Sequence, residues 1–123
     1  METLVNIGRI GFGLLFLVGA VFNLAYTFNH GDVFFGSFEK NAWFPLSRTL
    51  VREFVIPQAK VATVAIVLVQ VTAAILILSG IFVETGLIIG AIFAFAAALV
   101  SSPGGTIGNL VLGVLQVLLT FAN

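Results

Sequence analysis

Four stretches of this sequence are long, apolar and almost free of charge, and no other feature restricts the fold as much. They run from about Ile10 to Phe28, Val61 to Gly80, Thr85 to Val100 and Ile107 to Phe121. A helix crossing the hydrocarbon of a bilayer needs about 20 mostly apolar residues, with a range of roughly 17–25. The last two stretches are short but nearly charge-free, and the turn Ser101-Ser102-Pro103-Gly104-Gly105 separates them. All four are continuous runs rather than alternations, which predicts helices and not the strands of a membrane barrel. Charged residues make up 8% of the 123 and hydrophobic ones 60%, against about 25% charged in an ordinary soluble domain. A soluble chain of this size would need a polar surface that this composition lacks. The expected fold is all-α: a polytopic membrane protein, one domain over residues 1–123, with four transmembrane helices in a bundle. No cleavable signal is expected at the first helix. Only Arg9 is basic before it, the apolar run exceeds a signal-peptide core, and no small-x-small site follows.

The same composition narrows the chemistry. Five Lys+Arg balance five Asp+Glu, so no basic field is available to hold nucleic acid. Cys is absent, which removes disulfides, thiolate metal sites and iron–sulfur ligation from the chain itself. One His and one Met cannot supply a bis-His or His/Met haem. His30 and Asp32 form an H-x-D pair, short of the three or four ligands a metal site wants. No metal site, no covalently bound cofactor and no catalytic residue is expected. Pro103-Gly104-Gly105 is read as a turn, not a phosphate-binding loop.

The one long connection, Asn29 to Ala59, carries most of the charge: Asp32, Glu39, Lys40, Arg48, Arg52 and Glu53. It is longer than a plain connection in a compact domain. Residues Pro45–Ile56 read as a short amphipathic helix lying in the interface, started by Pro45 and stopped by Pro57. Leu46, Leu50, Phe54, Val51 and Val55 fall on one side of it, and Arg48 and Arg52 on another. Around it cluster Tyr26, Phe28, Phe34, Phe35, Phe38, Trp43 and Phe44, either as an interfacial aromatic belt or as a lid over a pocket. Lys40, Arg48, Arg52 and Lys60 share one membrane side with the turn before the last helix. By the bias of Lys and Arg that side is cytoplasmic, with the termini outside.

Polar groups inside the spans need a partner or a role. Arg9 and Glu84 lie at helix ends on the same membrane side and could form an ion pair, or each could reach the headgroups alone. Arg9, Gly13, Phe16, Ala20 and Asn23 form one helical stripe. Asn109, Gly113, Gln116 and Thr120 form another, and Thr63 and Gln70 a third. Gln70 and Gln116 lie at similar depth, about 15 Å from one side at the α-helical rise, and could bond to each other. Gly86, Gly90, Ala94 and Ala98 make a small-residue ridge for close helix approach. Asn23, Gln70, Asn109 and Gln116 are expected to face the bundle interior. There they either join helices or line one ligand cavity with Trp43 or Phe44 at its mouth.

The first helix, Gly8-Arg9-Ile10-Gly11-Phe12-Gly13-Leu14-Leu15-Phe16-Leu17-Val18-Gly19-Ala20, resembles the opening of the DoxX-like family of small four-helix membrane proteins. The family pattern has Arg, then Gly four residues on, then Phe three further, matched here by Arg9, Gly13 and Phe16. Gln70 followed by Ala73–Gly80 resembles its second helix. Four spans and a long first loop match too, so the resemblance covers most of the chain. The sequence departs from the pattern at Ala20 (often Gly), Asn23 (often Lys), Gln70 (often acidic) and Glu84 (often basic). The resemblance implies a four-helix membrane protein, and some relatives are small subunits of quinone-linked sulfur oxidoreductases. With Gln70 in place of an acid, the proton-handling group of such relatives is missing.

Two functions of different class follow as expectations. One is a non-catalytic subunit or scaffold of a membrane complex, with quinone-linked redox as one setting, partnered by another membrane protein or by itself. The other is a binding protein or transporter for a small ligand such as a lipid, sterol or quinone. Proton-coupled export is disfavoured, because no carboxylate lies between Arg9 and Phe28. The compartment expected is the cytoplasmic membrane of a prokaryote.

Overall fold

The computed structural model of the protein describes residues 2–122. Helix takes 91% of the described residues and no strand occurs among them, so the fold is all-α. Helix α1 spans Glu2–Phe22 and runs on through a wide π turn, Asn23–Thr27. The connection that follows holds α2 (Gly31–Asn41) and α3 (Pro45–Leu50). The remaining helices are α4 (Ala59–Ser79), α5 (Val83–Val100) and α6 (Pro103–Ala122). Four helical runs are long and apolar enough to cross a membrane: Glu2–Thr27, Pro45–Ser79, Val83–Val100 and Pro103–Ala122. The chain is an integral membrane protein whose outer surface meets lipid, and Val18, Leu68, Ile92, Ile107 and Leu118 stand exposed around that surface.

The long helices pack in a ring. α1 lies against α4, α4 against α5 and α5 against α6, while the seam that closes the ring between α6 and α1 is thin. Between them Phe16, Ala73, Ala74, Ile77, Val83 and Leu87 form the core. Phe16 meets Phe93 edge-on, ring centres 6.2 Å apart, a favoured aromatic geometry. Small residues set how closely the helices approach. A Cβ on Gly86 would lie 2.8 Å from Ile77 and 2.9 Å from Leu76. On Gly113 it would lie 2.6 Å from the Phe95 ring, and on Gly13 2.5 Å from Leu78. Without a hydrophobic force between helices in lipid, this close contact is a main source of attraction. The ridge Gly86, Gly90, Ala94 and Ala98 is buried within the bundle along its whole length.

The connection is more structured than the sequence reading has it. α2 is a helix that the reading missed. Gly31, Phe35 and Phe38 lie four and three residues apart, the spacing of one helical face, and Phe35 is buried. Gly31 sits directly on α4, where a Cβ would come within 2.6 Å of Ala59. Nor does Pro57 end α3. Helical structure continues through a π turn (Val51–Val55) and a 3-10 turn (Ile56–Gln58) into α4. That run has 35 residues, about 52 Å if straight, well beyond a hydrocarbon core of about 30 Å. It bends where Pro57 supplies no N–H and Gln58 leaves helical geometry (φ −128°, ψ 44°), which carries α3 sideways. The apolar side expected for α3 is split. Ser47 and Val51 are buried, whereas Leu46, Leu50 and Phe54 face outward, as suits a helix wedged by its edge between α2 and α5 with lipid on its flank.

Candidate functional site

The stripes expected on α1, α4 and α6 do turn inward. Gly13, Phe16, Ala20 and Asn23 are buried on α1, Thr63 and Gln70 on α4, and Gly113 and Gln116 on α6. Which amide meets which is settled by the order of helices in the ring.

Asn23 and Gln70 join α1 to α4. Asn23 Nδ2 donates to Gln70 Oε1 at 2.8 Å, and Thr27 Oγ1 donates to Asn23 Oδ1 at 2.8 Å. Gly19, one turn before Asn23, makes room for Gln70, whose Nε2 lies 2.7 Å from where a Cβ would stand. Asn23 occupies the first position of the π turn, where Phe28 N–H reaches Asn23 O, five residues back, at 2.9 Å. Such single-turn widenings recur at functional positions. Here Asn23 and Thr27 both face inward from it.

Gln116 is 1% exposed. Its Nε2 donates to Leu112 O on its own helix at 3.2 Å. Its Oε1 points at Gly90 on α5, beside the Phe16 ring, and has no hydrogen-bond partner among the described residues. The hydrogen that Gly90 carries in place of a Cβ faces that oxygen, a weak Cα–H···O contact of the kind found between packed helices. Gln70 and Gln116 therefore do not bond to each other, because their helices lie across the ring. Asn109 is half-buried and donates to Gly105 O at 2.9 Å within α6. The four amides are not gathered in one chamber. Asn23 and Gln70 pair, Gln116 stands apart, and Asn109 lines a separate groove near the α5–α6 turn.

Arg9 and Glu84 are not an ion pair. Arg9 Nη1 donates instead to Ile77 O at 3.0 Å, near the C-terminal end of α4. Glu84 is exposed in the first turn of α5. The one ion pair among the described residues is Arg52–Glu53, 3.9 Å and solvent-exposed. Helix α4 ends at Gly80 in the left-handed conformation (φ +78°), and Phe82 also has positive φ (55°), so the chain turns sharply into α5 away from Arg9. A cation at a helix C-terminus complements its unpaired carbonyls.

Trp43 and Phe44 belong to the cap. Trp43 Nε1 donates to Thr106 Oγ1 at 3.0 Å, and Thr106 Oγ1 donates to Ala98 O at 2.7 Å. Ser47 Oγ donates to Leu99 O, and Arg48 Nε to Ala42 O. The connection is thereby fastened to the α5–α6 turn. Thr106, Ser47 and Thr27 were not singled out from the sequence. Thr106 and Ser47 carry no spacing signal, since their partners lie 63 and 52 residues away, whereas Thr27 stands four residues after Asn23, a helical spacing that extends the α1 stripe to it. At the other edge His30 stacks on Tyr26 (4.4 Å between rings), and Lys60 lies over Phe28, 5.2 Å from the ring centre. No group of three or more His, Cys, Asp or Glu that could hold a metal occurs among the described residues. No family model, curated protein or solved structure matches the chain.

Proposed function

We propose that the protein is a non-catalytic subunit of a membrane complex, a rigid helical scaffold whose interior polar groups join its own helices. The observation that carries this reading is the Thr27–Asn23–Gln70 chain, in which the buried polar groups between α1 and α4 satisfy one another. Arg9 is held to the end of α4 through its Nη1, while its Nε is buried without a hydrogen-bond partner among the described residues. The resemblance of the first helix to the DoxX-like pattern, through Arg9, Gly13 and Phe16, supports a place beside a quinone-linked redox partner in the cytoplasmic membrane of a prokaryote. Such a complex would take its redox centre from the partner. The test is extraction from native membranes into nanodiscs, followed by native mass spectrometry. A stoichiometric second chain of constant identity is the expected result. A mass equal to this chain or a multiple of it, under every extraction condition, overturns the proposal.

One observation favours a second reading, binding of a small ligand such as a sterol, quinone or other lipid. Gln116 Oε1 is a buried acceptor without a partner, and an unpaired carbonyl in an apolar interior costs about 1–3 kcal/mol. A ligand hydroxyl would satisfy it. Under this reading Gln116→Leu abolishes retention of a non-bilayer lipid while the helices stay folded. Under the scaffold reading that variant changes only the melting temperature.

A further inference from the structure

We infer, resting on the ligand-binding reading above, that the α1–α6 seam is a lateral entrance through which an apolar alcohol passes from the bilayer to Gln116. That reading gains from it the chemical class of the ligand and its way in.

The class follows from which half of the Gln116 amide is free. Nε2 donates to Leu112 O. This bond also fixes the orientation of the amide, since an oxygen in that place would face another oxygen. Oε1 is enclosed and has no partner among the described residues, and the whole residue is 1% exposed. A carbonyl oxygen only accepts, so the occupant must donate. A hydroxyl does so. The carbonyl of a quinone or an ester does not, and neither does an ether oxygen. Around Oε1 stand Gly90 and the Phe16 ring, neither of them charged, so an ammonium donor would lie there uncompensated. What remains is a neutral hydroxyl on an apolar body.

The way in follows from how the ring is closed. The α1–α4 seam carries the bonds from Asn23 to Gln70 and from Arg9 to Ile77 O, and the α5–α6 seam the bond from Thr106 to Ala98 O. Gly86 brings α5 close to α4. The α1–α6 seam is thin, and no side-chain hydrogen bond joins its two helices among the described residues. An apolar groove of about 340 Å³ opens along it, between Leu4, Gly8 and Phe12 of α1 and Leu115, Leu118 and Leu119 of α6. Phe12 and Leu119 also pack on the core that contains Phe16. Phe16 lies four residues after Phe12, and Gln116 three before Leu119, so each is the next position on the same helical face. Two side chains, Phe12 and Leu119, therefore stand between the groove and Gln116, and they are closed in this structure. Leu119 rests on Gly8, its Cδ1 3.2 Å from where a Cβ would stand. Only apolar contact holds it there, and lipid chains offer Leu119 the same contact. Swinging it outward opens the seam.

The absence of Cys from the chain allows a reversible staple as the test. With Gly8→Cys and Leu119→Cys, a sulfur in place of Leu119 Cγ lies 3.8 Å from the new Cβ, within a small adjustment of disulfide geometry. The full chain is placed in nanodiscs containing equal amounts of farnesol and farnesyl methyl ether, which keeps the oxygen and loses the donor. Adducts are read by native mass spectrometry. The unaltered chain and the reduced double variant should retain farnesol about tenfold over the ether. Oxidation with diamide before the probes are added should remove the adduct, and dithiothreitol should restore it, which separates closure of the seam from misfolding. Gln116→Leu and Gln116→Met, of different shape, should both abolish the preference for farnesol. A disulfide that does not form, or an adduct that forms equally in the oxidised chain, overturns the entrance. Equal retention of the ether overturns the class. Each of these results leaves the ligand-binding reading standing. No adduct under any condition, or a preference that survives both Gln116 variants, overturns the inference together with that reading.

Discussion

The two main seams of the bundle combine shape and hydrogen bonding in different proportions. Between α1 and α4, Gly13 packs closely on Leu78, and two hydrogen bonds cross the seam as well: Asn23 to Gln70, and Arg9 to the end of α4. Between α5 and α6 the contact is chiefly a matter of shape, with Phe95 lying on Gly113 and Gln116 set against Gly90. The connections explain the difference. α5 and α6 are joined by Ser101 and Ser102 alone, so their register is fixed by the turn and close packing completes it. α1 and α4 are separated by the whole capping segment, which leaves their register open. Directional bonds between particular side chains help to specify it.

The contrast can be broken, and the largest effect belongs to the shape-dependent seam. Gly90→Leu drives carbon into Gln116 and Phe16, where even a Cβ does not fit. Overpacking of this kind costs typically 1–3 kcal/mol and sometimes more, and here we expect the upper end, about 3 kcal/mol. Thermal melting in detergent reads it, and an unchanged transition would mean that α5 and α6 do not approach as described. On the α1–α4 seam, Gln70→Leu leaves the Asn23 amide buried without its acceptor, a loss of about 1–3 kcal/mol. A double-mutant cycle with Asn23→Leu should give a coupling of about 0.6–1.7 kcal/mol, the range for hydrogen bonds between membrane helices. Additive losses would show that the two side chains do not meet.

A smaller effect is expected where the cap is fastened. Thr106→Val removes the acceptor of the Trp43 indole and should cost about 1 kcal/mol. Trp43 is the single tryptophan of the chain, so the fluorescence maximum reports the surroundings of this residue alone. Emission should shift and trypsin should cut at Arg48 faster; unchanged spectra and cleavage would leave the hydrogen bond without a role. The smallest effect sharpens the contrast at the termini end. Arg9→Gln should cost about 0.3–1 kcal/mol, the scale of a charge at a helix terminus, while Glu84→Gln should change nothing measurable. Equal, non-additive losses at both positions would restore the ion pair that the geometry lacks.

The faces of the helices were legible in the sequence, and their neighbours were not. A period of 3.6 places Gly13, Phe16, Ala20 and Asn23 on one side of α1 whatever surrounds it, and the same holds for Gln70 and Gln116 on their helices. Pairing depends on the order of helices in the ring. Gln70 and Gln116 match in depth but sit on opposite members, so depth alone gives the wrong partner. Likewise, opposite charges on one side of the membrane do not imply contact, since the turn at Gly80 and Phe82 directs Glu84 outward. In the connection, aromatic residues satisfy a membrane interface and a helical core equally well. That is why α2 was hidden although Gly31, Phe35 and Phe38 are correctly spaced for it. The split of α3 follows from its continuation into α4, which rotates Leu46 and Phe54 away from the bundle, and local pattern carries no information about that bend.

The separation of Asn23 from Gln70 also sets an order of events during synthesis. The two lie 47 residues apart. At about 5–20 residues per second, the Gln70 codon is read roughly 2–9 s after that of Asn23. Through that interval α1 has neither the acceptor for its amide nor the carbonyl for Arg9. Gly90 and Gln116, which meet across the α5–α6 hairpin, lie 26 residues apart, so that contact waits about half as long, roughly 1–5 s.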